Sequence, residues 1–182
     1  MTQSQLDNTW HRVGAWSGGL VSAVAMSPTF AHDGLALAAT AAGMFRSTDG
    51  GLSWQPANIG LTDRSVLAVA FAPANRGAEQ RAFATTEGSR LFTTADGGAQ
   101  WEELSAWTGF GQATQFVVSP NFAADQTLFV ATYEGVFRSQ DGGASWESSI
   151  FGLHDVEVAA LACAPDYAAS EVLWVRSEEH PS

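Results

Sequence analysis

Apolar residues fall in short runs along this chain, broken every few positions by Gly, Pro, Asp or Ser, and the runs recur in a fixed order. An apolar run ending in proline comes first, at 21–28, 66–73, 116–120 and 158–165. A second follows at 35–40, 82–86, 128–133 and 172–175, and a third at 43–47, 90–93 and 135–139. A fourth leaves a turn with a tryptophan, at 54–57, 101–104 and 146–149. The β-branched and aromatic content and the closely spaced turn signals predict strands. No stretch keeps a 3.6-residue apolar period long enough for an amphipathic helix. Each unit therefore reads as four short antiparallel strands, a to d. Alanine is common in strand a, against β-propensity, which suits an innermost strand where small side chains pack.

The turn between c and d carries a nearly invariant string: STDGGLSW at 47–54, TADGGAQW at 94–101 and SQDGGASW at 139–146. Its aspartates, Asp49, Asp96 and Asp141, are 47 and 45 residues apart. That period is the size of one four-stranded propeller blade. The predicted fold is all-β: three complete blades at about 21–61, 65–107 and 114–153, and a partial fourth at 156–175. Residues 9–15, with Trp10 placed 44 before Trp54, read as a further strand d.

The residue types suit a tight corner. An Asp can accept backbone N–H groups two or three residues on. The glycines, among them Gly51, Gly98 and Gly143, can take positive φ. Trp54, Trp101 and Trp146 are expected to bury their rings beside the turn, each indole N–H finding an acceptor. The string resembles the Asp-box, or bacterial neuraminidase repeat. The resemblance covers roughly residues 20–175 and is shared with photosystem II assembly-factor-like and sortilin-type propeller repeats. It implies that Asp49, Gly51, Trp54, Asp96, Gly98, Trp101, Asp141, Gly143 and Trp146 form a structural corner away from the ligand face.

Composition narrows the function. The net charge is −11, and the eight basic residues are all arginine, so no basic patch for nucleic acid can be assembled. Cys163 is the single cysteine and reads as a small buried hydrophobe. No metal-ligand spacing, phosphate loop or nucleophile elbow is present, so no metal, cofactor or catalytic residue is expected. The first twenty residues lack the apolar run of a signal peptide, and no stretch is long enough to span a membrane, which places the chain in the cytoplasm as an expectation. The tail at 176–182 departs from the repeat and resembles a translated sequencing-adapter oligonucleotide, RSEEHTS, differing only at Pro181. The natural protein is thus expected to continue, and 176–182 to be irregular.

Propeller ligands usually meet the rim built by the d–a and b–c loops. Here that rim carries Asp63, Arg64, His154 and Asp155, and the candidate ligand residues Glu87, Arg90, Trp107, Tyr133 and Glu134. Aromatics and carboxylates together suit a protein or carbohydrate ligand. The expectation is a non-catalytic binding or scaffolding module, self-associating through open blade edges. The alternative is a fragment of a glycoside hydrolase, sialidase-like or another carbohydrate-active propeller. A sialidase would need a three-arginine clamp. Arg46 and Arg138 occupy one repeat position before the corner and read as scaffold, while Tyr133 and Glu134 are adjacent and need not touch. Glu87 and Glu134, at similar positions on neighbouring blades, keep a two-carboxylate mechanism open.

Overall fold

The computed structural model describes residues 19–73, 80–149 and 158–177. The strand expected over 9–15, the end of the third blade at 150–157 with His154 and Asp155, and the tail at 178–182 lie outside them. The first blade comprises β1 (Val21–Met26), a one-turn helix α1 (Phe30–Asp33), β2 (Ala36–Thr40), β3 (Gly43–Ser47) and β4 (Gln55–Pro56). The second has β5 (Val66–Phe71), β6 (Ala82–Thr86), β7 (Leu91–Thr94) and β8 (Glu102–Glu103). The third has β9 (Ala113–Val118), α2 (Phe122–Asp125), β10 (Leu128–Thr132), β11 (Gly135–Ser139) and β12 (Glu147–Ser148). Then come β13 (Val158–Cys163), α3 (Tyr167–Ser170) and β14 (Leu173–Ser177). Three sheets are four-stranded antiparallel meanders, and β13 and β14 form a two-stranded sheet.

The blades stand face to face. Strand a of each blade lies beside strand a of the next, β1 by β5, β5 by β9 and β9 by β13. The second and third blades have a neighbour on each side, so β6 and β10 are covered on both faces, and every residue of β2, β6 and β10 is buried. This explains why strand b is apolar without alternation, as in other doubly covered strands. Leu37 and Ala39 of the first blade pack with Val69, Ala82 and Phe92 of the second. Phe83 meets Phe122 edge to face at 5.4 Å across the next junction. Phe129 and Ala131 pack with Leu161 and Tyr167 across the last.

Every strand a also bulges at its second residue. Register slips between Val21 and Ala23, between Val66 and Ala68, and between Val158 and Ala160, and β9 slips opposite Ala131–Thr132. Side chains at and beside the bulges stitch neighbours together. Ser22 Oγ donates to Ala39 O at 3.1 Å and to Val66 O of the next blade at 2.6 Å. Gln115 Oε1 accepts the Leu161 N–H at 2.8 Å.

The structure differs from the sequence reading in local ways. β9 begins at Ala113, ahead of the apolar run: Thr114 Oγ1 donates to Ala131 O of its own blade at 3.2 Å, and Gln115 reaches the next blade. Strand d is only two residues in each blade, its tryptophan already part of the corner. In the first, third and fourth units one-turn helices close the a–b connections, too short to leave an apolar period. β14 continues through Arg176 and Ser177, which pair with Ala160 and Val158, so the first two residues of the expected irregular tail are strand. No helix among the described residues is long and apolar enough to cross a membrane.

Replacing Gln115 by Ala leaves the Leu161 amide without its side-chain partner. We expect a loss of about 1 kcal/mol and faster amide exchange confined to β13 and β14, read by hydrogen–deuterium exchange.

Candidate functional site

The three corners are built alike, from side chains that take over backbone groups the turn leaves open. In the first, Ser47 Oγ donates to Asp49 Oδ1 at 2.8 Å and accepts the Gly51 N–H at 2.9 Å. Asp49 then accepts the Ser53 amide at 2.9 Å and the Ser53 hydroxyl. Ser139, Asp141, Gly143 and Ser145 repeat the set. In the second corner Thr94 replaces Ser, and Asp96 accepts the Ala99 and Gln100 amides at 2.9 and 3.0 Å. The Ser53 hydroxyl and amide, with Ser47, hold the Asp49 carboxyl at about 2, below the ordinary 3.8. Ser145 is the main cause at Asp141, which also falls to about 2. At Asp96 burial pushes upward, but the Gln100 and Ala99 amides and the Thr94 hydroxyl outweigh it and the net shift is downward.

The corner also grips the preceding connection. The amides of Gly50, Gly97 and Gly142 donate to the carbonyls of Gly34, Gln80 and Gln126 at 2.9–3.0 Å. Gly34 and Gln126 cap α1 and α2 in the left-handed conformation. A repeated Ser-Pro-x-Phe-Ala-x-Asp sets up this cap. Ser27 donates to Asp33 at 2.6 Å, and Asp33 accepts the Leu35 amide at 2.8 Å. Ser119, Asp125 and Thr127 do the same. Sequence reading saw only the prolines here; the matching 27–33 and 119–125 strings carried the signal.

Close approach explains the last glycine of the corner. A Cβ on Gly98 (φ 89°) would lie 2.6 Å from the Leu37 side chain, and one on Gly143 (φ 98°) would lie 2.7 Å from Leu104. Both leucines belong to the preceding blade.

The tryptophans part company. Trp54 Nε1 donates within its own turn, to Gly51 O at 3.1 Å. Trp101 Nε1 reaches Ala57 O of the preceding blade at 3.0 Å. Trp146 Nε1 is buried without an acceptor. The carbonyl matching Ala57 is Leu104 O, which accepts the Trp107 N–H at 2.9 Å instead. The expectation that each indole finds a partner thus fails at the third corner, because the loop after Leu104 turns at once and takes that carbonyl.

The opposite rim gathers the b–c turns and d–a loops. The Glu87 N–H donates to Ser65 O at 2.9 Å, and Glu87 Oε2 accepts Ser65 Oγ at 2.7 Å. Asp63 Oδ2 accepts the Gly88 N–H at 2.8 Å. Arg90 pairs with Glu103 at 2.7 Å on the adjacent strand d. Glu134 lies against Gly111 of the neighbouring loop, and Tyr133 is 56% exposed. Trp107 is not on this surface. It is 4% exposed, with its ring 5.0 Å from Trp146, 5.1 Å from Phe110 and 5.7 Å from Phe137. The candidate ligand face therefore loses Trp107: its ring fills the junction where the third corner lacks a neighbour's carbonyl. Cys163 is half-buried, and burial, with Asp125 nearby, raises its thiol to about 11. Among the described residues no three His, Cys, Asp or Glu side chains converge as a metal site.

No family model matches the chain. A curated xyloglucanase from Hypocrea jecorina (strain QM6a) is 30% identical over 123 residues, which is 66% of this chain and 14% of the relative. The chain thus spans about one seventh of the length of the curated relative it matches. An ancestral GH74 enzyme superposes with a TM-score of 0.65 at 22% identity, covering 91% of this chain and 23% of that one. YCF48 bound to D1 peptide gives 0.63 at 16% identity, covering 88% and 49%. With the face-to-face antiparallel sheets, these likenesses make the chain part of a β-propeller.

Two outcomes follow from the corners. Asp49 and Asp141 have folded values below their unfolded ones, so their contribution is complete above about pH 4 and is lost as pH falls toward about 2. Melting temperature should drop across that window, and an Asp49→Asn, Asp141→Asn double variant should flatten the drop. Trp101→Phe should cost about 1 kcal/mol more than Trp146→Phe, because only Trp101 gives up a hydrogen bond; denaturant midpoints check this.

Proposed function

We propose that this chain is a blade segment of a carbohydrate-active propeller, and that its loop rim binds a polysaccharide of the xyloglucan type. The observation that carries the reading is the 30% identity over 123 residues to a xyloglucanase. The rim's chemistry supports it. Tyr133 offers an exposed ring for stacking on a sugar face, and Glu134 beside it offers acceptors for hydroxyl groups. Glu87 and Arg90 are engaged by Ser65 and Glu103, and in this reading they shape the rim rather than perform acid–base chemistry. The three Asp-Gly-Gly corners act as scaffold of the Asp-box kind, holding blade to blade away from the ligand.

A second reading, a peptide-binding scaffold, draws on the likeness to peptide-bound YCF48. One assay separates the two. In affinity electrophoresis the chain should be retarded by xyloglucan and not by an unrelated polymer such as dextran. Tyr133→Ala should weaken the retardation roughly fivefold, about 1 kcal/mol. Free migration through xyloglucan, or a Tyr133→Ala variant retarded as strongly as the parent, would remove the carbohydrate reading.

A further inference from the structure

The loops from strand d to the next strand a keep step at the first two junctions. Ala57 donates to Met44 O and Leu104 to Leu91 O, each at 2.8 Å, so both loops leave strand c at one position. They reach the next strand a at Val66 and Ala113. Gly60 of the first loop therefore matches Trp107 of the second, and Asp63 matches Phe110. Gly60 takes a positive φ of 85°, and a Cβ there would collide with Trp101 O. Ile59 O accepts the Trp101 N–H at 2.8 Å. The first loop thus lies against the next blade's corner. Asp63 pins its rim end by accepting the Ser65 and Gly88 amides at 3.1 and 2.8 Å.

Trp107 has a Cβ and no positive φ, so the second loop cannot follow that path. It turns back on itself: the Trp107 N–H donates to Leu104 O at 2.9 Å and the Thr108 N–H to Ala106 O at 3.1 Å. The Trp107 ring enters the junction, against Trp146 and Phe137. Phe110, in place of the pinning aspartate, packs 5.1 Å from Trp107 and 4.8 Å from Phe137. A polar pin on the rim is exchanged for an aromatic one beneath it. Gly109 and Gly111, both at positive φ, flank Phe110. A Cβ on Gly111 would lie 3.4 Å from the Glu134 carboxyl carbon. The backbone beside the Tyr133–Glu134 turn is therefore supported from below by the Trp107 and Phe110 rings.

We propose that Trp107 is a positioning residue of the polysaccharide site on the rim. It touches no sugar. Through Phe110 it holds residues 109–111 against Glu134, which keeps the carboxylate and the Tyr133 ring in one arrangement before a sugar arrives. A site held rigid by packed side chains loses less freedom on binding than one ordered by its ligand. The proposal rests on the xyloglucan reading of the rim and adds to it a residue out of the ligand's reach.

Affinity electrophoresis in xyloglucan tests this on the full 182-residue chain, with Tyr133→Ala as the reference for loss of the site. Trp107→Ala should weaken retardation roughly fivefold, the scale of one lost stacking contact. Trp107→Phe, which keeps a ring in the junction, should stay within about twofold of the parent. In a Tyr133→Ala background, Trp107→Ala should weaken it little further, because both residues act on one site. Trp101→Phe, at the corner of the first junction, should leave retardation as in the parent. Hydrogen–deuterium exchange should quicken at 109–112 and 133–134 in Trp107→Ala and not in Trp107→Phe. Phe110→Ala, at a less buried ring, repeats the test if Trp107→Ala does not fold. Unchanged affinity in a folded Trp107→Ala or Phe110→Ala variant overturns the proposal and leaves the xyloglucan reading standing. So does an additive double variant, or exchange at 133–134 equal to the parent's. A parent chain that migrates freely through xyloglucan removes both.

Discussion

Strand b of the three four-stranded blades has no solvent side, and much of the structure follows from that. All residues of β2, β6 and β10 are buried, which no isolated four-stranded sheet could achieve. Each sheet packs on at least one neighbour, so the unit of stability is the junction between blades. Apolar burial at roughly 25 cal/mol per Å2 rewards the stacking of sheets rather than the making of any one of them. This is the energetic logic of repeat proteins, in which a unit cannot complete its core alone.

Stacking brings backbone groups close at the rims, and these must be satisfied. The corners do so with a small set of short side chains. Ser or Thr and Asp take the amides of the turn, and the first glycine of each pair donates to the connection after strand a. The second glycine is bare because a leucine of the preceding blade lies there in the second and third corners. The repeated string is thus a record of two constraints at once, turn chemistry inside the blade and contact with the blade before it.

Those constraints also explain what the sequence made legible. The strands, their order and the corner aspartates act through neighbours within a few residues, so pattern and turn chemistry expose them. Asp33 and Asp125 are equally local, but they sit among residues whose repetition is weaker, and the second blade departs from it. The sequence places Trp107 on the rim, whereas it is buried. Its ring turns inward because the third junction has Trp146 and Phe137 on one side and a loop that reverses immediately after Leu104 on the other. The orphaned Trp146 nitrogen has the same origin. On the rim, the sequence located Tyr133 and Glu134 on a turn, while the engagement of Glu87 by Ser65 depends on how a d–a loop meets the following blade.

The links between blades have short reach along the chain. Trp101 bonds to a carbonyl 44 residues earlier, Leu161 to a side chain 46 residues earlier, and Gly97 O accepts the Arg46 guanidinium 51 residues earlier. Each newly made blade therefore finds its template already synthesised. At roughly 5–20 residues per second on the ribosome, one repeat emerges every few seconds, far longer than hairpin formation needs. A chain wired in this way can assemble vectorially, each blade docking on the last as it appears, so that each new junction closes soon after its strands are made.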